Sequence, residues 1–304
     1  MKALDETNNI TVIIPSYNRS KLLTRALQSL AAQTDSDFEV IVCDDGSTEN
    51  IARVVELFKN ALKISLLQIK NSGGPAKPRN IATRAATTRW VSYLDSDDWW
   101  HPGRIKAVRK ELNSDRDIVY HFLEVVHANN TRDERRTYGK RLGEKLRCRD
   151  ATSHMLLFGN PIPTSAVTIR RELMLAIGGF DENPKLASVE DFDAWLRLST
   201  NGAKFHCLRE ILGNYWVGSD QISKFSKKQF ECQQYLFESQ INYLPARYSR
   251  IAKGRFAYLL GSYALDLGLP NYSSYYRSLS FFQEPDIWLK AAAKQLLLRI
   301  ARMV

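Results

Sequence analysis

The chain has 304 residues, 44% of them hydrophobic and 25% charged, with a formal net charge of +10. That length suits one large α/β domain plus a smaller unit, and the composition excludes a chain that is disordered throughout. No apolar stretch reaches the length of a membrane span, and residues 1–9 lack the apolar core of a signal peptide. Cys43, Cys148, Cys207 and Cys232 are scattered without a C-x-x-C pair, so they read as reduced thiols of a cytosolic protein and not as zinc ligands.

The run Ile10-Thr11-Val12-Ile13-Ile14, stopped by Pro15, predicts a buried parallel strand. Ser20 is placed to cap a helix that shows Leu23, Ala26, Leu27 and Leu30 on one face. Glu39-Val40-Ile41-Val42-Cys43 predicts a second strand ending at Asp44-Asp45-Gly46-Ser47. A helix over 51–62, a strand over 64–69, a Gly73-Gly74-Pro75 loop and a short helix from Arg79 follow. The next strand, Trp90 to Leu94, opens into Asp95-Ser96-Asp97-Asp98 and a Trp99-Trp100-His101-Pro102 turn.

Strands alternating with helices predict a doubly wound α/β sheet, which binds ligands at the carboxyl ends of its strands. Those ends carry Pro15-Ser16-Tyr17-Asn18, Asp44-Asp45-Gly46-Ser47 and the Asp95 cluster. No G-x-G-x-x-G follows the first strand and no Walker loop is present, which disfavours a dinucleotide dehydrogenase or a P-loop enzyme.

Residues 118–163 are less regular, and their charged segment from Arg132 to Arg149 reads as a solvated loop. The sharper reading of that segment is an acceptor-side lid whose arginines meet an anionic substrate. After Phe225 the pattern is helical and aromatic, with a hairpin turn at Gly268-Leu269-Pro270-Asn271. Residues 286–304 form a cationic amphipathic pattern, suited to docking on the protein or to a membrane interface. From Lys224 onward there are 12 Lys/Arg and 5 Asp/Glu, so most of the net charge sits there. An anionic membrane surface fits this tail; no nucleic-acid-binding module is visible.

Asp95, Asp97 and Asp98 at the end of a buried strand repel one another and are costly to desolvate. A divalent cation with oxygen ligands relieves that cost, and such a cation holds a diphosphate. The plain alternative is a solvated turn leading into the next helix. With Val12-Ile13-Ile14-Pro15-Ser16-Tyr17-Asn18-Arg19, Val42-Cys43-Asp44-Asp45-Gly46-Ser47, Gly178-Gly179-Phe180-Asp181 and Glu190-Asp191-Phe192-Asp193-Ala194-Trp195 in order, residues 10–223 resemble a family 2 glycosyltransferase of the GT-A fold.

The resemblance implies an inverting transferase that uses a nucleotide-sugar donor. Residues 1–223 would form the catalytic domain and 224–304 a helical C-terminal region. Asp97 with Asp98 would bind Mg²⁺ or Mn²⁺, and Asp95 would reach the ribose or a metal-bound water. Pro15, Tyr17 and Asp45 would hold the nucleoside, with uracil the leading base and a UDP-sugar the leading donor. Arg79 would meet the base or diphosphate. Asp191, or else Glu190, would be the base, with Trp195 lining the acceptor sugar. The expected acceptor is a lipid-linked bacterial surface glycan, reached from the inner face of the cytoplasmic membrane.

The family's Tyr-Arg-x-His segment corresponds here to Tyr215-Trp216-Val217-Gly218, which lacks both the Arg and the His. Either Lys224, Lys227 or Lys228 supplies the missing charge, or the metal dependence is weaker than in relatives, or the enzyme is impaired. Two other readings compete: a non-catalytic nucleotide-sugar or glycan binder of the same fold, and a sugar-nucleotide nucleotidyltransferase. The latter needs a glycine-rich basic loop after the first strand, where this chain has Pro15-Ser16-Tyr17-Asn18-Arg19.

Overall fold

The computed structural model describes residues 9–127, 140–146, 150–218, 226–240, 246–269, 272–277 and 288–293. Strands β1 (Ile10–Ser16), β2 (Phe38–Asp44), β3 (Lys63–Gln68) and β4 (Trp90–Tyr93) lie in the order β3-β2-β1-β4, all parallel. Along β1 successive side chains alternate between the two sheet faces. Ile10, Val12 and Ile14 pack with Leu23 and Leu27 of α1 (Ser20–Ala31), while Ile13 enters the opposite core beside Ile41, Val91 and Tyr93. Burial on both faces explains why β1 is a continuous apolar run up to Pro15. Each fully buried leucine contributes about 1.5–3 kcal/mol.

Ser20 is the first residue of α1 and not its cap. The helix has no side-chain cap of its own; the Ser20 N–H is met from outside by Glu49 Oε2 at 2.7 Å. The second predicted helix is shorter than its pattern, with α2 covering Ile51–Glu56. Helix α3 (Ala76–Ala85) starts three residues before Arg79, so Arg79 lies within its first turns.

Beyond β4 the sheet becomes mixed. Strand β8 (Val167–Arg170) runs antiparallel to β4, and β6 (Ile118–His127) antiparallel to β8. Strand β9 (Phe205–Val217) is parallel to β6, β5 (Trp99–Trp100) pairs with β9, and β7 (Arg141–Leu142) pairs with β6. The stretch that begins irregularly in the sequence is thus a ten-residue strand, its first six residues buried. His121 interrupts the apolar pattern of β6 but is itself buried, where Arg104 donates Nε to its Nε2 at 3.2 Å. Residues 132–139 and 147–149 of the charged segment lie outside the described residues.

Helices α4 (Arg104–Arg109), α5 (Ala151–Phe158), α6 (Arg171–Ala176) and α7 (Glu190–Thr200) complete the sheet's flanks. Gly179, before α7, has φ +83°, and a Cβ there would stand 2.3 Å from Asn80 Oδ1. This close approach lets Asn80 of α3 accept the Phe180 N–H and donate to the Phe180 carbonyl, both at 2.8 Å. The glycine pair therefore docks the approach to α7 against α3.

Helices α8 (Lys227–Gln240), α9 (Ala246–Asp266) and α10 (Tyr272–Arg277) follow. Cys232, Leu236, Ala252 and Phe256 belong to the same core as Ile13 and Tyr93. The predicted aromatic hairpin is present: Phe230 meets Tyr275 edge-on, and the Gly261 backbone receives the Tyr276 ring. Of the terminal amphipathic segment only 288–293 are described; they are helical, with Ala291 buried and Trp288 and Leu289 exposed. No helix among the described residues is long and apolar enough to cross a membrane.

Candidate active site

A cavity of about 570 Å³ opens where β1, β2 and β4 end, bounded across from them by residues 160–165 and the start of α7. This is the crevice where doubly wound sheets bind ligands, and its volume suits a nucleotide. Pro15, Ser16 and Tyr17 of the β1 end line it, with Tyr17 48% exposed. Asn18 adopts φ +50°, and its Oδ1 accepts the Thr48 N–H at 2.8 Å, tying the β1 and β2 loops together. Asp45 accepts from the Ser72 N–H at 2.9 Å and the Ser72 hydroxyl at 3.0 Å. Burial pushes the Asp45 carboxyl up, while the two Ser72 bonds oppose this.

The β4 loop gathers the acidic cluster. The Ser165 hydroxyl receives the Asp95 N–H at 3.0 Å, and Asp98 N–H closes the turn onto the Asp95 carbonyl at 3.0 Å. Asp97 is paired with Arg19 at the N-terminus of α1. Asp98 is buried, with Oδ1 accepting the Trp216 N–H at 2.9 Å and Oδ2 accepting no hydrogen bond. Burial raises the pKa of both Asp97 and Asp98; at Asp97, Arg19 opposes this and Asp95 adds to it. At Asp98 the charges of Asp97 and then Asp95 add to it, and hydrogen bonds from Ser165 and the Trp216 N–H oppose it.

Among the described residues no three His, Cys, Asp or Glu side chains form a preformed metal cage. The donor set is instead one or two carboxylates beside an open cavity. That fits Mg²⁺ or Mn²⁺, which take few protein ligands and fill their shells with phosphate oxygens and water. The orphaned Asp98 Oδ2 is the observation that agrees with a cation here.

Arg79 joins the two sides of the cavity. Its Nη2 donates to Asp95 Oδ1 at 2.6 Å and its Nη1 to Glu190 Oε1 at 2.7 Å. Burial works against the Arg79 charge, but the two carboxylates outweigh it and raise its pKa. Glu190 is also buried, with Oε2 unpartnered; burial lifts its pKa to about 7, Asp191 adds to this and Arg79 opposes it.

Asp191, the next residue, accepts from the Thr164 hydroxyl at 2.9 Å and from Asn160 Nδ2 at 3.2 Å, and its Oδ1 receives the Phe192 N–H at 2.6 Å. Burial raises its pKa against the Thr164 bond.

The cavity thus brings together Pro15, Tyr17, Asp45, Arg79, Asp95, Asp97, Asp98, Glu190 and Asp191 from the sequence-predicted set. Trp195 is the exception and is corrected. It is 0% exposed, donates Nε1 to the Ile162 carbonyl at 3.1 Å and packs edge-on against Phe180, so it cannot line an acceptor site. Arg79 lines the cavity, but both its terminal nitrogens serve carboxylates; it is a bridge and not an open cation.

Lys227 and Lys228 do not line the cavity, and Lys224 lies outside the described residues. The sequence reading missed Asn160, Thr164 and Ser165, which sit around Pro161 and Pro163 in a short segment without regular pattern. Arg19, which follows Pro15-Ser16-Tyr17-Asn18 at the β1 end, also lines the cavity without a role expected from the sequence.

The geometry is an acidic, nucleotide-sized crevice at the carboxyl ends of the parallel strands of an α/β sheet. The chain belongs to glycosyl transferase family 2, whose model matches residues 11–173, more than half of it. Glu190 and Asp191 lie beyond that span. An uncharacterised glycosyltransferase of Haemophilus influenzae is 31% identical over 192 residues, covering 62% of this chain and 61% of the relative. The chain therefore spans less than two thirds of that relative's length.

The crystal structure of Staphylococcus aureus TarS 1-349 with UDP-GlcNAc superposes with TM-score 0.64 at 21% identity, over 93% of this chain and 79% of that 1-349 chain. The Pyrobaculum calidifontis mannosyltransferase PcManGT with GDP-Man and Mn²⁺ gives 0.60 at 19%, over 97% and 80%. The fold is that of the GT-A glycosyltransferases.

Proposed function

We propose that the protein is an inverting glycosyltransferase that moves a sugar from a UDP-sugar to an acceptor hydroxyl on a lipid-linked bacterial surface glycan. One observation carries this reading: a single cavity has Asp95 and Asp97 on one wall and Asp191 on the other, joined through Arg79 and Glu190. Tyr17 and Pro15 would cover the nucleoside, Asp45 would accept the uracil N–H, and Asp95 would reach the ribose. Asp97, with Asp98 behind it, would hold Mg²⁺ or Mn²⁺, which when bound supplies positive charge to the leaving diphosphate. Asp191 would take the acceptor proton as the acceptor oxygen attacks the anomeric carbon opposite the diphosphate, whose bond to that carbon breaks. Residues 1–223 would carry this chemistry, with 224–304 as a helical region beside it.

The test is a thermal-shift series with UDP and UDP-sugars, with Mg²⁺, Mn²⁺ or EDTA. A donor at a hundredfold excess over its Kd stabilises the folded state by about 2.7 kcal/mol. The expected result is a raised Tm that depends partly on the metal and is reduced in Asp97→Ala. A full, metal-dependent shift retained in Asp97→Ala rejects the assignment of that residue.

The basic region after Lys224 supports a cytoplasmic protein held peripherally at an anionic membrane. Flotation with anionic liposomes at low salt should recover the protein, and removing residues 286–304 should abolish recovery. No flotation of the full chain overturns this part of the reading.

A further inference from the structure

The cations around the acidic loop differ in how firmly they are held. Arg25 donates Nη2 to the Asp97 carbonyl at 2.6 Å and lies against the rings of Trp99 and Trp216, at 4.0 and 4.5 Å from their centroids. It is thus held by two aromatic rings as well as at its tip. Arg79 has both terminal nitrogens on carboxylates and its side chain is 3% exposed. Arg19 is different. It precedes α1, lines the cavity, keeps 23% of its side chain exposed and meets Asp97 Oδ2 through Nη1.

Arg19 and Arg79 are the Lys and Arg residues among the described lining of the cavity, against six carboxylates, Asp45, Asp95, Asp97, Asp98, Glu190 and Asp191. A nucleoside diphosphate adds negative charge to that surplus. The incoming oxygens therefore need a cation that can leave its carboxylate, and a guanidinium offers a fork of N–H donors matched to phosphate.

We infer that Arg19 is a diphosphate-binding residue that shares Asp97 with the divalent cation. Without ligand, Arg19 neutralises Asp97. When the cation takes Asp97, the guanidinium turns to the diphosphate oxygens. Arg19 thereby supplies the positive charge that Trp216 and Gly218 do not. This rests on the proposed reading of Asp97 as a cation ligand.

The consequence is a pair of effects with opposite signs. Removing the guanidinium frees Asp97 for a cation but deprives the diphosphate of a partner. A residue that merely braced the loop would weaken both ligands when removed. Isothermal titration of the whole chain with UDP in saturating Mn²⁺, and of Mn²⁺ alone followed by the EPR signal of free Mn²⁺, separates the two.

Arg19→Met should weaken UDP in saturating Mn²⁺ by about tenfold or more, the worth of a hydrogen bond to a charged group. The same variant should bind Mn²⁺ alone severalfold more tightly. Arg19→Lys, which keeps the charge without the fork, should bind UDP between the two and Mn²⁺ like the wild type. Unchanged UDP affinity in Arg19→Met or Arg19→Lys overturns the inference, and so does Mn²⁺ binding that is equal or weaker in Arg19→Met. If the wild type binds neither UDP nor GDP with or without Mn²⁺, the nucleoside-diphosphate reading of the whole site falls, and this inference with it.

Discussion

Asp191→Asn should lower sugar transfer by about 10²–10⁴-fold, the usual contribution of a positioned base, while UDP binds as before. The substitution removes the basic oxygen but nearly preserves shape, and Asp191 stands across the cavity from the nucleoside loops. Its neighbours hold the carboxylate in place: Thr164 and Asn160 donate to one oxygen and the Phe192 N–H to the other. Burial raises its pKa, which makes the ionised form a stronger base than an exposed aspartate. The rate should therefore rise with pH as Asp191 ionises, and that dependence should disappear in Asp191→Asn.

Glu190→Gln is the comparison that gives the experiment its edge. Glu190 titrates at about 7 and is committed to Arg79 through Oε1. Its replacement should cost far less than that of Asp191. A pH–rate limb at about 7 that vanishes only in Glu190→Gln would move the base to that residue. Near-wild-type transfer by Asp191→Asn, measured as UDP released in the presence of acceptor, would reject Asp191.

The strand ends were legible because their signal is local. An apolar run with both faces buried, stopped by Pro15 or by Asp44-Asp45-Gly46-Ser47, marks the end of a parallel strand without reference to the rest of the chain. The Asp95 cluster was legible for the same reason. What joins the two walls was not. Arg79, Asp95 and Glu190 meet only once the sheet has closed, and no spacing in the sequence encodes an ion pair between distant segments.

Trp195 was misread on a subtler ground. Its i, i+4 relation to Asp191 does place both on one side of α7, but spacing gives the angle around a helix and not the depth along it. Asp191 sits in the first turn at the cavity, whereas Trp195 lies one turn further into the core against Phe180. Strand β6 was hidden because His121 and Glu124 interrupt its pattern; the buried Arg104 that makes His121 tolerable comes from another element.

Arg79→Met should destabilise the fold by about 3–5 kcal/mol, because removing one partner of a buried ionic bridge leaves uncompensated charge behind. Two carboxylates lose their partner at once, and Glu190 Oε2 already has none. The loss should depend on pH in a defined direction. Folding raises Glu190 from an ordinary 4.5 to about 7, so the folded state binds more protons than the unfolded state between those values. That contribution is fully present below 4.5 and lost as pH rises through about 7.

Without Arg79 the carboxyl is pushed higher still, since the main group opposing the shift has gone. The variant should therefore lose more stability relative to the wild type at about pH 8, where Glu190 must ionise unpaired, than at about pH 5, where it stays neutral. Urea unfolding midpoints at the two pH values measure this. The double variant Arg79→Met with Glu190→Gln should regain a large part of the loss at the higher pH, because it removes the charge that Arg79 balances. Asp95, with 29% of its side chain exposed, can be solvated and costs less alone. An equal loss at both pH values, with no recovery in the double variant, would mean that Arg79 acts through packing and not as the ionic bridge between the two walls of the site.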